Sequence, residues 1–194
     1  MIKIGVTGGI GAGKSIVCTV LERMGYPVFY SDIEAKKIIS SNSVVKNHLI
    51  ESFGSQVFKN NQLNRTYLSN LLFSDSTLID KMNSIVHPKV REAFDSWTLI
   101  QNSSIVFNEA AILFETGAFK NFDATLLVTA PLKLRLKRVA SRDSATEEQI
   151  MKRINNQWSD EQKKVLATFI LLNDDSQSVL NQLDRIILEI QALI

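Results

Sequence analysis

The run Thr7-Gly8-Gly9-Ile10-Gly11-Ala12-Gly13-Lys14-Ser15 constrains this chain more than any other stretch. From Gly8 to Ser15 it fits G-x-x-x-x-G-K-[ST], the spacing of a phosphate-binding loop. The flanks agree with that reading. Met1 to Val6 is a short apolar strand, and Ile16, Val17, Val20, Leu21 and Met24 recur behind the loop at helical spacing. Glycines let the backbone curl until several N–H groups point inward at phosphate oxygens, and the following helix adds its positive N-terminal end. The residues expected to line such a cradle are Gly8, Gly9, Gly11, Ala12, Gly13, Lys14, Ser15 and Ile16. Lys14 would reach the β- and γ-phosphates, and the Ser15 hydroxyl would ligate Mg²⁺. A chain opening this way is expected to bind a nucleotide.

Composition narrows the setting. A length of 194 residues suits one domain with small insertions and a solid core. At 45% hydrophobic and 22% charged, the chain reads as an ordinary globular protein. A net charge of +2 argues for neither nucleic acid nor membrane as a partner. The positive charge is concentrated, however: Lys133, Arg135, Lys137, Arg138 and Arg142 fall within ten residues that contain no acid, which suits a compact anionic ligand. The one cysteine, Cys18, sits on the helix after the loop and is expected to pack in the core, not to act as a reactive thiol. No signal-peptide pattern and no apolar run of about 20 residues is present, so a cytoplasmic setting is expected.

Further along, Gly25 is placed to end the first helix, and Pro27 to Tyr30 reads as a second strand. Ser31 and Glu34 form a capping-box pattern that puts Asp32 in the first turn of a helix, at the ligand-binding edge of an open α/β sheet. Asp32 would face a ligand there or would only complement the helix dipole, and spacing does not separate the two. Residues 35–100 show mostly helical spacing around a polar, turn-like stretch from Gly54 to Asn64, which predicts a helical insertion containing His48 and the pair His87-Pro88. Ile105 to Phe107 is a third strand. The aspartate that closes such a strand in many proteins with this loop is missing, and Glu109 or Asp32 would have to replace it. Ala124 to Thr129 is a strong strand, with Pro131 suited to the first turn of the helix that bears the basic cluster. On that helix Arg138 and Arg142 are spaced i, i+4 and share a face. Thr146 to Gln149 and Ser159 to Gln162 are two more capping boxes, and Phe169 to Leu172 is a last strand. A closing amphipathic helix carries Val179, Leu183, Ile186, Ile187, Ile190 and Leu193. Strands alternating with helices behind a phosphate loop predict a three-layer, doubly wound parallel α/β sheet of the P-loop nucleotide-kinase type, with a helical insertion and a lid.

The ordered set of motifs resembles the dephospho-coenzyme A kinase family over nearly the whole chain. The family's opening T-G-G-I-G-S-G-K-S-T is matched from Thr7 to Ile16, with Ala12 and Ile16 as departures. Its D-A-D-x-x-A-R block is similar to Tyr30 through Lys36, keeping the second aspartate as Asp32 but with Tyr30 and Lys36 at the first aspartate and the arginine; lysine lacks the bidentate fork. His87-Pro88, Ala111 to Glu115, Arg138 to Asp143, Arg153 to Gln157 and Ala167 to Asn173 resemble the remaining motifs, with Ala111 in place of proline and Thr168 in place of aspartate.

The resemblance implies that ATP, with Mg²⁺ on Ser15, phosphorylates the ribose 3′-hydroxyl of dephospho-coenzyme A in the last step of coenzyme A synthesis. It implies Asp32, Lys14, Arg138 and Arg142 as catalytic residues and Asp32, Lys36 and His87 as substrate contacts. Three parts of one kinase domain follow: a nucleotide-binding core (about 1–32, 103–130 and 165–194), a substrate-binding insertion (about 33–102) and a lid (about 131–164). The partner would be the small-molecule substrate, without nucleic acid or membrane, acting on a monomer or weak homo-oligomer. Two rival readings fit the loop alone. One is another kinase of this fold acting on a nucleotide, nucleoside or shikimate-like alcohol. The other is a nucleotide-dependent switch with no small-molecule acceptor; a GTPase switch should carry an N-K-x-D guanine-reading motif, and this sequence lacks one.

Overall fold

The computed structural model describes residues 1–74 and 77–192, so Leu193 of the expected closing helix lies outside the described residues. In chain order the elements are β1 (Ile2–Thr7), α1 (Lys14–Arg23), β2 (Val28–Tyr30), α2 (Ser31–Ser41), α3 (Ser43–Phe53), β3 (Phe58–Lys59), β4 (Gln62–Leu63), α4 (Arg65–Ser74), α5 (Thr77–Thr98), β5 (Ile105–Glu109), β6 (Ala124–Thr129), α6 (Leu132–Asp143), α7 (Glu147–Asn155), α8 (Asp160–Lys164), β7 (Phe169–Leu172) and α9 (Val179–Gln191). Two compact units emerge, Met1–Phe29 with Gln101–Ile194, and Tyr30–Ile100.

The first unit is built on a five-stranded parallel sheet in the order β2-β5-β1-β6-β7. Buried on both faces, its strands read as near-continuous apolar runs: every residue of β6 is buried, and so are the last four of β1. Val6 pairs in register with Glu109 on one side and with Leu126 on the other, so β1 is central. The chain leaves β1 toward β2, whereas the connection from β5 crosses over to β6. The strand order therefore reverses beside the carboxyl end of β1, where open α/β sheets bind ligands, and the glycine loop stands there. Ile4, Val6, Phe107, Leu126 and Leu171 of the sheet are buried together with Val17, Cys18 and Leu21 of α1 and Leu183, Ile187 and Ile190 of α9. Each large aliphatic side chain so buried contributes about 1.5–3 kcal/mol.

Local capping matches the sequence at two of its three capping-box patterns. Thr146 with Gln149 and Ser159 with Gln162 make reciprocal capping boxes at the starts of α7 and α8. At α2 the expectation fails: the helix follows β2 without an intervening residue, so extended Tyr30 takes the N-cap position and Ser31 is already helical. Glu34 instead pairs with Lys37 at 3.1 Å. Pro131 likewise sits at the N-cap of α6, one residue before the first turn.

The second unit is mainly helical. α2 and α3 pack on α5, and Val45, Leu49, Phe53, Val57, Leu68, Val86, Val90 and Phe94 are buried. Asn42 caps α3 by accepting from the Val45 N–H at 3.1 Å. The stretch read as a turn holds a small antiparallel hairpin, Phe58 opposite Leu63 and Lys59 opposite Gln62. Asn60 and Asn61 both adopt positive φ (51° and 62°), as a two-residue hairpin turn with right-handed strand twist requires. Pro88 lies inside α5.

Candidate active site

The loop between β1 and α1 is wound around its glycines. Gly13, with φ 97°, turns the chain into α1 as its N-cap, and no side chain caps that helix. The first turn of a ten-residue helix therefore faces the loop with its positive end, the environment an anion favours. Lys14 folds back over the loop, its ammonium donating to the Gly8 carbonyl at 2.9 Å and lying 3.8 Å from Glu109 Oε1. Both side chains are only 13% exposed, and Glu109 closes β5 where the sequence analysis sought an acid. Ser15 is exposed in the first turn of α1. Among the described residues no group of three or more His, Cys, Asp or Glu could hold a metal ion. A cation at this loop would thus depend on the Ser15 hydroxyl and on the phosphates themselves, which is the donor chemistry Mg²⁺ takes beside a nucleotide. Cys18 is buried one turn further on. Burial, aided by the charges of Glu109 and Glu22 and opposed by Lys14, pushes its thiol up to about 12, so it remains an inert thiol.

Long-range contacts support the loop from beneath. The Ile10 N–H donates to Gln157 Oε1 at 2.9 Å, and the Ile10 carbonyl accepts from Arg135 Nε at 2.9 Å. Asn173, buried just after β7, donates its side-chain amide to the Ala12 carbonyl at 2.9 Å. Its own carbonyl accepts from Arg138 at 2.9 Å, and Arg138 also reaches Asp175 at 2.9 Å. Arg142 is exposed and bonded to Asp143 at 2.7 Å, and Arg153 reaches the same carboxylate at 2.8 Å. The hydrogen bond from Arg142, and secondarily that from Arg153, holds the Asp143 carboxyl below its usual range. Arg138 and Arg142 line one open groove of about 420 Å³ with Leu134, Lys137, Ser141 and Asp175.

In the helical unit Asp32 is exposed in the first turn of α2, with Lys36 exposed one turn further on. His87, half-buried on α5, feels the Asp32 carboxylate. Its pKa is nonetheless lowered, first by burial and then by the Arg91 guanidinium, with Asp32 pulling the other way. The ring is neutral near pH 7. Asp32, His87 and Arg91 thus form one electrostatic group across α2 and α5, and Lys36 shares the helix of Asp32.

Comparison with known proteins identifies the family. The dephospho-CoA kinase family model matches residues 2–178. The chain belongs to the dephospho-CoA kinase family. A dephospho-CoA kinase of Bacteroides fragilis is 43% identical over 187 residues, which cover 96% of this chain and 91% of that protein. Among solved structures, TT1252 from Thermus thermophilus superposes with a TM-score of 0.85 at 33% identity, covering 100% of this chain and 97% of that one. The dephospho-CoA kinase from Campylobacter jejuni gives 0.68 at 26% identity, covering 97% and 96%.

Several residues around the site of this dephospho-CoA kinase family member were not singled out from sequence. Arg135 is buried beneath the loop, although it lies in the basic run that drew attention to Arg138 and Arg142. Gln157 and Asn173 entered only as ends of family-like motifs, and the sequence gives no sign that both hold the glycine loop. Lys163 is fully buried, its ammonium 2.9 Å from Glu115 Oε1. That approach is ionic and out of line for a hydrogen bond, and Glu115 Oε2 makes none either. A lysine and a glutamate 48 positions apart in sequence give no local signal of such a pair.

Proposed function

We propose that this chain transfers the γ-phosphoryl group of ATP to the ribose 3′-hydroxyl of dephospho-CoA, completing coenzyme A, with the residues named below in specific roles. The observation that carries the reading is the glycine loop in a chain of this family: α1 starts uncapped behind Gly13 while Lys14 is held across the loop mouth by the Gly8 carbonyl. The backbone from Gly8 to Ile16 takes the phosphates. Lys14 exchanges its bond to Gly8 for phosphate oxygens and meets the charge that grows as the β–γ bridge breaks. The Ser15 hydroxyl would hold Mg²⁺, which when bound would neutralise charge on the phosphates.

Asp32 accepts the proton of the attacking hydroxyl, a task suited to an exposed carboxylate in the first turn of α2. His87, neutral and next to Asp32 in charge terms, donates or accepts a hydrogen bond to the acceptor without adding charge, and Lys36 supplies a cation to its phosphates. Arg138 and Arg142 stabilise the moving phosphoryl group and help exclude water. Arg138 starts from a position on Asn173 and Asp175, and exposed Arg142 would exchange its bidentate pairing with Asp143 for phosphate oxygens. On the same reading the enzyme works in the cytoplasm as a monomer or weak homo-oligomer, with no nucleic acid or membrane partner.

The test is ADP release measured with dephospho-CoA, adenosine, AMP, pantetheine and shikimate as acceptors. Dephospho-CoA should be preferred by orders of magnitude in kcat/KM. Equal or better turnover of a nucleoside or shikimate would instead support the rival small-molecule kinase.

A further inference from the structure

We infer that Arg135 is a positioning residue that presets the phosphate loop through Gly9 and Ile10, and that Gly9 is glycine because the Arg135 guanidinium occupies the place of its side chain. This rests on the reading of residues 8–16 as the ATP-phosphate cradle. Of the five basic residues in α6, Lys133, Lys137 and Arg142 are exposed and Arg138 is partly so, but Arg135 is only 7% exposed. Burying a guanidinium is costly unless its donors are satisfied. Here two of its nitrogens are bonded inside the protein: Nε donates to the Ile10 carbonyl at 2.9 Å, and Nη1 to Asp160 Oδ1 at 3.3 Å. Asp160 opens α8, and its carboxylate fixes the plane of the fork.

The third nitrogen, Nη2, lies against Gly9. A Cβ on Gly9 would collide with it and would stand 2.6 Å from the guanidinium carbon. The backbone at Gly9 is not in the left-handed region, so its conformation alone would accept alanine. What excludes a side chain is Arg135. The next glycine leans on the same residue, since a Cβ on Gly11 would come within 2.7 Å of the Arg135 carbonyl oxygen.

Ile10 stands between these glycines, at the part of the loop with least intrinsic order. Its N–H is taken by Gln157 and its carbonyl by Arg135, so both flanking peptide planes are fixed before a nucleotide arrives. A cradle already formed spares ATP the entropy of ordering it, which appears as affinity and as charge stabilisation in the transition state. With Nε bonded to the loop backbone and Nη1 to Asp160, Arg135 is anchored where it sets the loop.

A double-mutant cycle tests this: Gly9→Ala, Arg135→Ala and the double variant, with ATP affinity by calorimetry, single-turnover transfer and melting on each. Gly9→Ala should weaken ATP binding about tenfold or more, because the new methyl and the guanidinium cannot both keep their places and the loop must shift. Arg135→Ala should do the same, because the loop loses its support. The double variant should bind no more weakly than the weaker single, since the new methyl then occupies vacated space. Arg135→Lys should not rescue, because one ammonium cannot serve both Ile10 and Asp160. The inference is overturned if the two single losses multiply, if Arg135→Lys restores wild-type affinity, or if Arg135→Ala lowers only the melting temperature. Should Arg135→Ala fail to fold, Gly9→Ala decides alone: wild-type ATP affinity in that variant overturns the inference, and a loss that Arg135→Gln relieves in the double variant supports it. A Lys14→Ala control separates the two levels. If it binds and turns over ATP normally, the cradle reading itself falls; if it loses turnover while the cycle is additive, only the role of Arg135 falls.

Discussion

Replacing Glu115 by glutamine removes one charge and little else, because the side-chain oxygen can still accept from the Trp158 N–H, now bonded at 3.1 Å. Its consequence falls on Lys163. That side chain is fully buried, 2.9 Å from Glu115 Oε1, and among the described residues its ammonium has no hydrogen-bond partner. With an effective dielectric of about 20, the attraction at that distance is about 6 kcal/mol before desolvation is counted. Removing one partner of a buried pair typically costs about 3–5 kcal/mol, because the other charge is stranded. For a chain of this length each kcal/mol shifts the melting temperature by about 2–4 °C, so Glu115→Gln should melt about 6–20 °C lower. Replacing both residues, Glu115→Gln with Lys163→Met, should recover most of the loss, since neither charge of the pair is then left stranded. The assay is thermal and urea unfolding of the wild type, both single variants and the double. A Glu115→Gln melting temperature within about 2 °C of wild type, or a double variant whose loss equals the sum of the singles, would refute the stranded-charge argument.

Three more predictions follow from the geometry. Asp32→Asn should keep its place at the start of α2 and fold normally, while phosphoryl transfer falls by about 10²–10⁴-fold at nearly unchanged ATP affinity; near-normal single-turnover transfer would leave Asp32 only a helix-dipole role. Cys18 should resist a disulfide reagent at pH 8.5 until urea is added, and because the fold disfavours its thiolate, the stability it contributes is intact below pH 9.0 and lost as pH rises toward about 12. His87 binds its proton less readily in the fold than in the unfolded chain, so stability should be full above pH 6.5 and decline as pH falls below it; His87→Gln should flatten that part of the urea-midpoint profile, and an unchanged slope would contradict the assignment.

What could be read from the sequence was local. The glycine loop, β6, β7 and the capping boxes at Thr146 and Ser159 each depend on residues a few positions apart, and each stands where the pattern put it. The Ser31 capping box did not form because β2 runs directly into α2, leaving only Tyr30 extended enough to cap it. The hairpin at 58–63 escaped notice because two-residue strands have no periodicity, although the paired asparagines at its turn were a usable signal. The supports of the loop were invisible for a different reason. Arg135 meets Ile10 across 125 positions, Gln157 meets it across 147 and Asn173 meets Ala12 across 161. Spacing on α6 correctly grouped Arg138 with Arg142, but which arginine of that helix is buried is decided by the sheet order that brings the helix under β1's loop, and one sequence does not encode that in any short pattern.

The central claim, transfer of phosphate from ATP to the 3′-hydroxyl of dephospho-CoA, is tested most directly by identifying the product. The purified chain is incubated with ATP, Mg²⁺ and dephospho-CoA, and the acceptor is recovered and analysed by mass spectrometry and phosphorus NMR alongside ADP release. The account predicts coenzyme A carrying its new phosphate on the ribose 3′-oxygen, formed in step with ADP and abolished in Lys14→Ala. ADP formed at the same rate without dephospho-CoA, or phosphate found at any other oxygen of the acceptor, would contradict it.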